Sequence, residues 1–194
     1  MPDVADLIAQ SYSAEAAKAF RAFEPSDADF DALKQVGREL QIVFKPIPGA
    51  CVMMSALLIL GLETLTKAPA YLVAGSLAVG ATKVFGDGGA VDAAKAFGQS
   101  NPSWDGHAWV QFGKFIADTS IFRTAYSSKS PPLLAKHVRA THGEGRGILI
   151  GTYEALARDD SLIYEPQYVL PKEQLDRITN GGLKMLIATG SCRQ

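Results

Sequence analysis

Apolar residues along the first third of the chain recur at helical spacing. Ala16, Phe20 and Phe23 mark one face of a helical stretch over residues 3 to 24, and Ser13 before Ala14-Glu15-Ala16 reads as an internal restart. Pro25-Ser26 closes that stretch. Ser26 or Asp27 then caps a second helix through about Gln41, with Phe30, Leu33, Val36 and Leu40 on one face. Pro46 and Pro48 exclude a continuous helix over IVFKPIPGA. The next segment, CVMMSALLILGL, is apolar nearly all round. It predicts a buried central helix from near Cys51 to near Leu65.

The period changes after that helix. APAYLVAGSLAVG mixes β-branched and aromatic residues with small ones and predicts a strand from about Ala70 to Val79. Residues 80 to 103 carry GDGG and NPS and read as an irregular excursion with a short helix at 91 to 97. HAWVQF and KFIADTS predict a hairpin turning at Gly113-Lys114. Ser127 to Pro132 reads as a loop and Leu133 to Arg139 as a short helix. GILIGTYEAL suits a strand or a helix start. LIYEPQYVL reads as a strand with Pro166 at an edge or bend. Pro171 opens a last helix, KEQLDRI, which Asn180-Gly181-Gly182 is expected to stop. This mixture predicts an α+β fold. One domain is expected over residues 1–194: a helical extension over 1–43, a core over 44–126, and a part completing the domain over 127–194.

Composition narrows the function classes. The 194 residues are 47% hydrophobic, enough for a core without disulfides or metal. Nineteen basic and twenty acidic residues leave a formal charge of −1, which gives no footprint for nucleic acid. The apolar stretch from Ala50 to Leu62 is too short to span a bilayer, and the N-terminus lacks the bases of a signal peptide. Two cysteines, Cys51 and Cys192, suit a reducing compartment, so a cytoplasmic protein without membrane partners is expected.

The chemistry concentrates on three residues. Gly49-Ala50-Cys51 sets a thiol at the first turn of the buried helix, where free N–H groups and the dipole favour an anionic sulfur and a developing oxyanion. His107 and Asp118 follow on the two strands of the hairpin. With the turn at Gly113-Lys114, Phe112 pairs with Phe115, and Asp118 becomes the diagonal, same-face neighbour of His107; with the turn at Phe112-Gly113, His107 faces Asp118 directly. An even register would put the two on opposite faces. A thiol, an imidazole and a carboxylate in this arrangement make a nucleophilic site. Each residue also has a structural role open to it: Cys51 as a small core residue, His107 as a satisfied strand histidine, Asp118 as the acid opening a turn with Thr119 and Ser120.

The helix-borne CVMMSALLI, the strand PAYLVAG, then HAWV and, eleven residues after the histidine, an Asp-Thr pair resemble the transglutaminase-like branch of the papain-like cysteine enzymes. The layout is also similar to the peptidase components of lasso-peptide maturation and to several uncharacterised bacterial families. The resemblance covers about residues 44 to 120. It implies a papain-like fold, with a Cys-bearing helical part packed on an antiparallel sheet. The implied triad is Cys51, His107 and Asp118, and it needs no metal or organic cofactor. The implied activity is hydrolysis or acyl transfer on a peptide or amide substrate, with a non-catalytic binding domain of the same fold as the alternative.

Two departures stand out. Papain-type proteases carry an oxyanion-donating glutamine six residues before the cysteine, where this chain has Lys45; Gln41 is the nearby substitute, beside the Cys51 backbone N–H. Residues 80 to 103 also lengthen the interval between cysteine and histidine and are placed to shape a cleft. Trp104 and Trp109 bracket the histidine, with core packing expected for Trp109 and cleft lining as a second role for the pair. His137 and His142 have no metal-site spacing to support them.

Overall fold

The computed structural model describes residues 3–44, 50–100, 102, 104–144 and 147–189. Three helices open the chain: α1 (Val4–Ser11), α2 (Ala14–Ala22) and α3 (Asp27–Val43). Their starts follow from short polar side chains. Asp3 and Ser13 each accept a first-turn N–H, and Ser26 forms a reciprocal capping box with Asp29. The restart at Ser13 splits the expected first helix in two. The approach to Cys51, including Lys45 and both prolines, lies outside the described residues, as does Cys192.

The helix α4 (Cys51–Leu65) has the bounds that its apolar run predicts. Nine of its residues are buried, from Val52 through Ile59 plus Leu62. Each large apolar side chain hidden this way is worth roughly 1.5–3 kcal/mol.

Six strands form one curled antiparallel sheet: β1 (Ala70–Val79), β2 (Thr82–Phe85), β3 (His107–Phe112), β4 (Phe115–Asp118), β5 (Leu149–Thr152) and β6 (Leu162–Val169). β1 has the expected limits and is the hub. It pairs with β3 along Ala70–Gly75, with β2 along Leu77–Val79, and with β6 along Val73–Val169 and onward. GILIGTYEAL supplies both alternatives, with β5 running into α8 (Tyr153–Asp159). Pro166 sits in β6, which among the described residues has β1 as its sole partner, and the register slips there between Ala74 and Gly75. An edge strand with a bulge is where a proline is tolerated.

The sheet has apolar clusters on both faces. Leu72, Ala74, Ala108, Val110 and Phe112 pack with α3 and α4. Val73, Leu77, Trp109, Ile116 and Tyr164 pack with α1, α6 (Ile121–Ala125) and α7 (Pro132–His142). Alternation along the strands produces this division.

The excursion after β1 is more ordered than its sequence suggests. It holds β2 and the short helix α5 (Ala93–Phe97), which Asp92 caps. The last helix corrects an expectation: α9 (Lys172–Ala188) runs straight through Asn180-Gly181-Gly182. The two glycines serve close packing there. A Cβ on Gly181 would lie 2.3 Å from the Ser100 carbonyl oxygen, and one on Gly182 would press on Met53 and Leu57 of α4 at 3.0 and 3.1 Å. Tertiary contact outweighs the roughly 1 kcal/mol that each glycine costs a helix.

Candidate active site

The hairpin sets the first two residues. Gln111 pairs with Ile116 and Phe112 with Phe115, as expected for a turn at Gly113-Lys114, with Gly113 at φ +54°. Continuing that register places Asp118 across from Trp109 and diagonal to His107. The side chains meet on that face: His107 Nε2 lies 2.6 Å from Asp118 Oδ2. Both are sealed from water, at 2% and 0% side-chain exposure.

The carboxylate is heavily tied. Its Oδ1 accepts from Ser120 N at 2.8 Å, Ser120 Oγ at 2.9 Å and Ile121 N at 3.0 Å, which satisfies donors at the start of α6. Its Oδ2 accepts from the Tyr164 hydroxyl at 2.9 Å as well as facing His107. The turn role of Asp118 and its partnership with His107 therefore coexist in one side chain.

Cys51 approaches from the other direction. It belongs to the α4 side of the sheet, whereas His107 and Asp118 pack with Trp109 and Tyr164 on the opposite face. The two sides meet at the end of the sheet, because His107 opens β3, Asp118 closes β4 and Cys51 opens α4. Ser55 Oγ bonds the Ala108 carbonyl at 3.5 Å. Cys51 precedes Ser55 by one turn, about 6 Å along the axis, which carries it to the level of the strand's beginning. Cys51 is, after Asp118, among the groups that raise the pKa of His107. With Nε2 turned to Asp118, Nδ1 is the nitrogen left for sulfur. Cys51 is a free cysteine and half-buried, so it is the member of the group that reaches solvent. No side chain caps α4 among the described residues.

Burial alone pushes the imidazole toward neutrality. The Asp118 charge and hydrogen bond outweigh it, and with Cys51 they carry the pKa of His107 from 6.5 up to about 10. Asp118 answers in the opposite sense. Burial would raise it, but the His107 charge and bond, the Ser120 N–H and the Tyr164 hydroxyl hold it below the usual carboxylate range. Each partner thus favours the charged form of the other.

Aromatic rings wall the imidazole. Phe85 of β2 stacks on it at 5.6 Å between centroids and 20° between planes, and Trp109 lies at 6.5 Å and 27°. Tyr164 closes a third side at 6.0 Å. Trp109 is fully buried and bonds the Tyr153 hydroxyl through Nε1 at 3.3 Å, so its role is packing rather than cleft lining. Trp104 does line a cleft. A space of about 570 Å³ is bounded by Gly86, Asp87, Lys95, Trp104 and Asp105 among others. It adjoins the site through Gly86, which follows Phe85, and Asp105, two residues before His107; Gly86 N donates to the Asp105 carbonyl.

Gln41 is occupied elsewhere. Its Nε2 donates to the Thr119 carbonyl at 2.5 Å and to the Gly147 carbonyl at 3.2 Å, and its Oε1 accepts from Arg123 Nε at 2.5 Å. Arg123 also bonds the Gln41 and Phe44 carbonyls at the end of α3. Both amide protons are spent on backbone, which corrects the oxyanion role expected for this residue. Gln41 ties the end of α3 to the residue after Asp118.

His137 and His142 converge on Asp160: His137 Nε2 meets its carbonyl at 2.5 Å, and His142 Nε2 lies 3.7 Å from its carboxylate. Among the described residues no group of three His, Cys, Asp or Glu side chains is placed to hold a metal ion. Among them, too, no helix is long and apolar enough to cross a membrane.

Tyr164 is the site residue that sequence reasoning missed. Its neighbours in LIYEP give no local sign of a partner 46 residues away. The available signal is general: a buried tyrosine needs an acceptor for its hydroxyl. Comparison with protein-family models, with curated proteins and with solved structures finds no match for this chain.

Proposed function

We propose that this chain is a thiol-dependent acyl-transfer enzyme, a hydrolase or transferase of the transglutaminase-like, papain-like kind, acting on a peptide or amide through an acyl-cysteine intermediate. The reading rests on one observation: an imidazole braced by a buried carboxylate at 2.6 Å, beside a helix that opens on a half-buried cysteine and bonds the next residue of the histidine's strand through Ser55.

In this proposal the Cys51 sulfur, as thiolate, attacks the carbonyl carbon. An S–C bond forms and the C=O π pair moves to oxygen. The Cys51 N–H, at the start of α4, donates to that oxygen. The pair then returns, the C–N bond breaks, and the amine leaves with the proton of the His107 imidazolium. Water or an amine attacks the thioester next, giving a proton to His107, and the C–S bond breaks to restore the thiolate. Asp118 keeps the ring oriented throughout and stabilises the imidazolium in the steps where the ring carries the proton. In this proposal the acyl segment lies in the cleft lined by Trp104 and Asp105, close to His107 along the chain. A free nucleophilic thiol suits a reducing, cytoplasmic compartment.

The test is labelling of the wild type and Cys51→Ala with an acyl-fluoride and vinyl-sulfone panel, read by mass spectrometry at the modified residue. Selective labelling of Cys51, faster than in denatured protein, is expected. Labelling no faster than in the denatured chain would leave a non-catalytic domain as the better description.

A further inference from the structure

Resting on the Cys51–His107–Asp118 reading, we propose that Tyr164 is a positioning residue of the site, a fourth member whose hydroxyl holds the Asp118 carboxylate ionised and aimed at His107. The geometry is specific. The bonds to Asp118 Oδ1 come from residues 120 and 121 of the adjoining turn. Oδ2, the oxygen that faces His107, takes its other donor from β6, across two intervening strands. Tyr164 pairs with Leu77 on β1, and His107 pairs with Gly75 on the same strand. The ring is 2% exposed and packs on both His107 and Trp109, so the hydroxyl has little freedom to turn away.

Gly75 makes the crossing feasible. A Cβ there would lie 2.9 Å from the Trp109 ring and 2.0 Å from the Glu165 carbonyl oxygen. Without that side chain, the rings of Trp109 and Tyr164 meet edge to face at 5.2 Å.

The chemistry follows from sharing one oxygen between two donors. The tyrosine hydroxyl draws on Oδ2 and lowers the proton affinity of the carboxylate. Burial and the nearby Asp118 charge raise the Tyr164 pKa well above the ordinary tyrosine range, so it remains a donor across the working range. Losing the hydroxyl makes the Asp118–His107 couple more basic as a unit, because the proton between them is bound by a less satisfied carboxylate. The titratable groups facing this cluster are Cys51, His107, Asp118, Tyr153 and Asp160.

The experiment is titration of the His107 ring by NMR in the wild type, in Tyr164→Phe, and with a ring-fluorinated tyrosine at 164, whose more acidic hydroxyl donates more strongly. Cys51 alkylation by iodoacetamide is followed on the same samples. The His107 midpoint is expected to rise by about one pH unit in Tyr164→Phe, a tenfold change in proton affinity typical of one hydrogen bond to a charged group. With fluorotyrosine it is expected to fall. A midpoint unmoved in the folded phenylalanine variant reduces Tyr164 to packing and overturns the proposal. Should that variant fail to fold, an unmoved midpoint with fluorotyrosine overturns it equally. Slow alkylation of wild-type Cys51 with an intact His107 shift would instead count against the enzyme reading alone.

Discussion

Asp118 and His107 meet at 2.6 Å with side-chain exposures of 0% and 2%, across a hairpin diagonal. A pair this deeply buried gains its stability from mutual charge and from the further hydrogen bonds on the carboxylate, since burial by itself opposes both charges. Removing either partner leaves the other stranded. Asp118→Ala is therefore expected to cost about 3 kcal/mol or more of stability, read as a shift in urea midpoint at constant slope.

The isosteric change separates charge from shape. Asp118→Asn keeps the size of the side chain but removes the anion, so burial acts on His107 with only Cys51 left to oppose it. Its pKa is expected to fall well below about 10. The alkaline limb of Cys51 alkylation should move down with it. An alkaline limb that stays put would show that the ring is not the group that titrates.

Stability should depend on pH in a defined window. His107 is raised in the folded state, so its contribution is complete below 6.5 and is lost as pH climbs through about 10. Asp118 is lowered, so its contribution is complete above its ordinary value of 3.8 and is lost as pH falls through its folded pKa. The wild type minus Asp118→Asn difference in melting temperature is expected to be greatest between about pH 4 and 6.5 and to shrink on both sides. A difference flat from pH 4 to 10 would contradict it.

Gln41 offers a sharp contrast between two roles. A lost oxyanion donor costs about 10²–10³ in kcat with little change in stability. A lost backbone tie does the reverse. Gln41→Ala is expected to lose about 1–3 kcal/mol, because it removes the amide donor of the Thr119 and Gly147 carbonyls and the acceptor of Arg123 Nε, with less than about tenfold loss in the alkylation rate of Cys51 or in turnover. Chemical unfolding and rate measurements on the same preparation decide it.

Gly75→Ala tests the bulge beneath the aromatic wall. An added methyl 2.0 Å from the Glu165 carbonyl oxygen has no flexible neighbour to yield, because the obstacle is backbone. A loss of about 3 kcal/mol is expected, with weakened protection of β6 amides in hydrogen exchange. Unchanged exchange in β6 would show that the strands part without cost.

Much of this arrangement is legible in the chain. The bounds of α4 and β1 follow from largely apolar runs, and the pairing of Phe112 with Phe115 is one of the two registers that a turn at Gly113 allows, both of which put His107 and Asp118 on one face. What escapes is set by contacts between distant segments. The glycines of α9 look like a stop until Ser100 and Leu57 are seen against them. Gln41 looks free for chemistry until Arg123, Thr119 and Gly147 claim it. Tyr164 depends on a strand register that slips at Gly75, and no local pattern encodes a slip.

Asp118 binds the opening N–H groups of α6 with one oxygen and the ring of His107 with the other. Fold stability and the proposed chemistry are thus vested in a single side chain. Selection acting on either one constrains both, so drift at this position is blocked twice over. A stabilised variant of this protein must be sought elsewhere in the molecule.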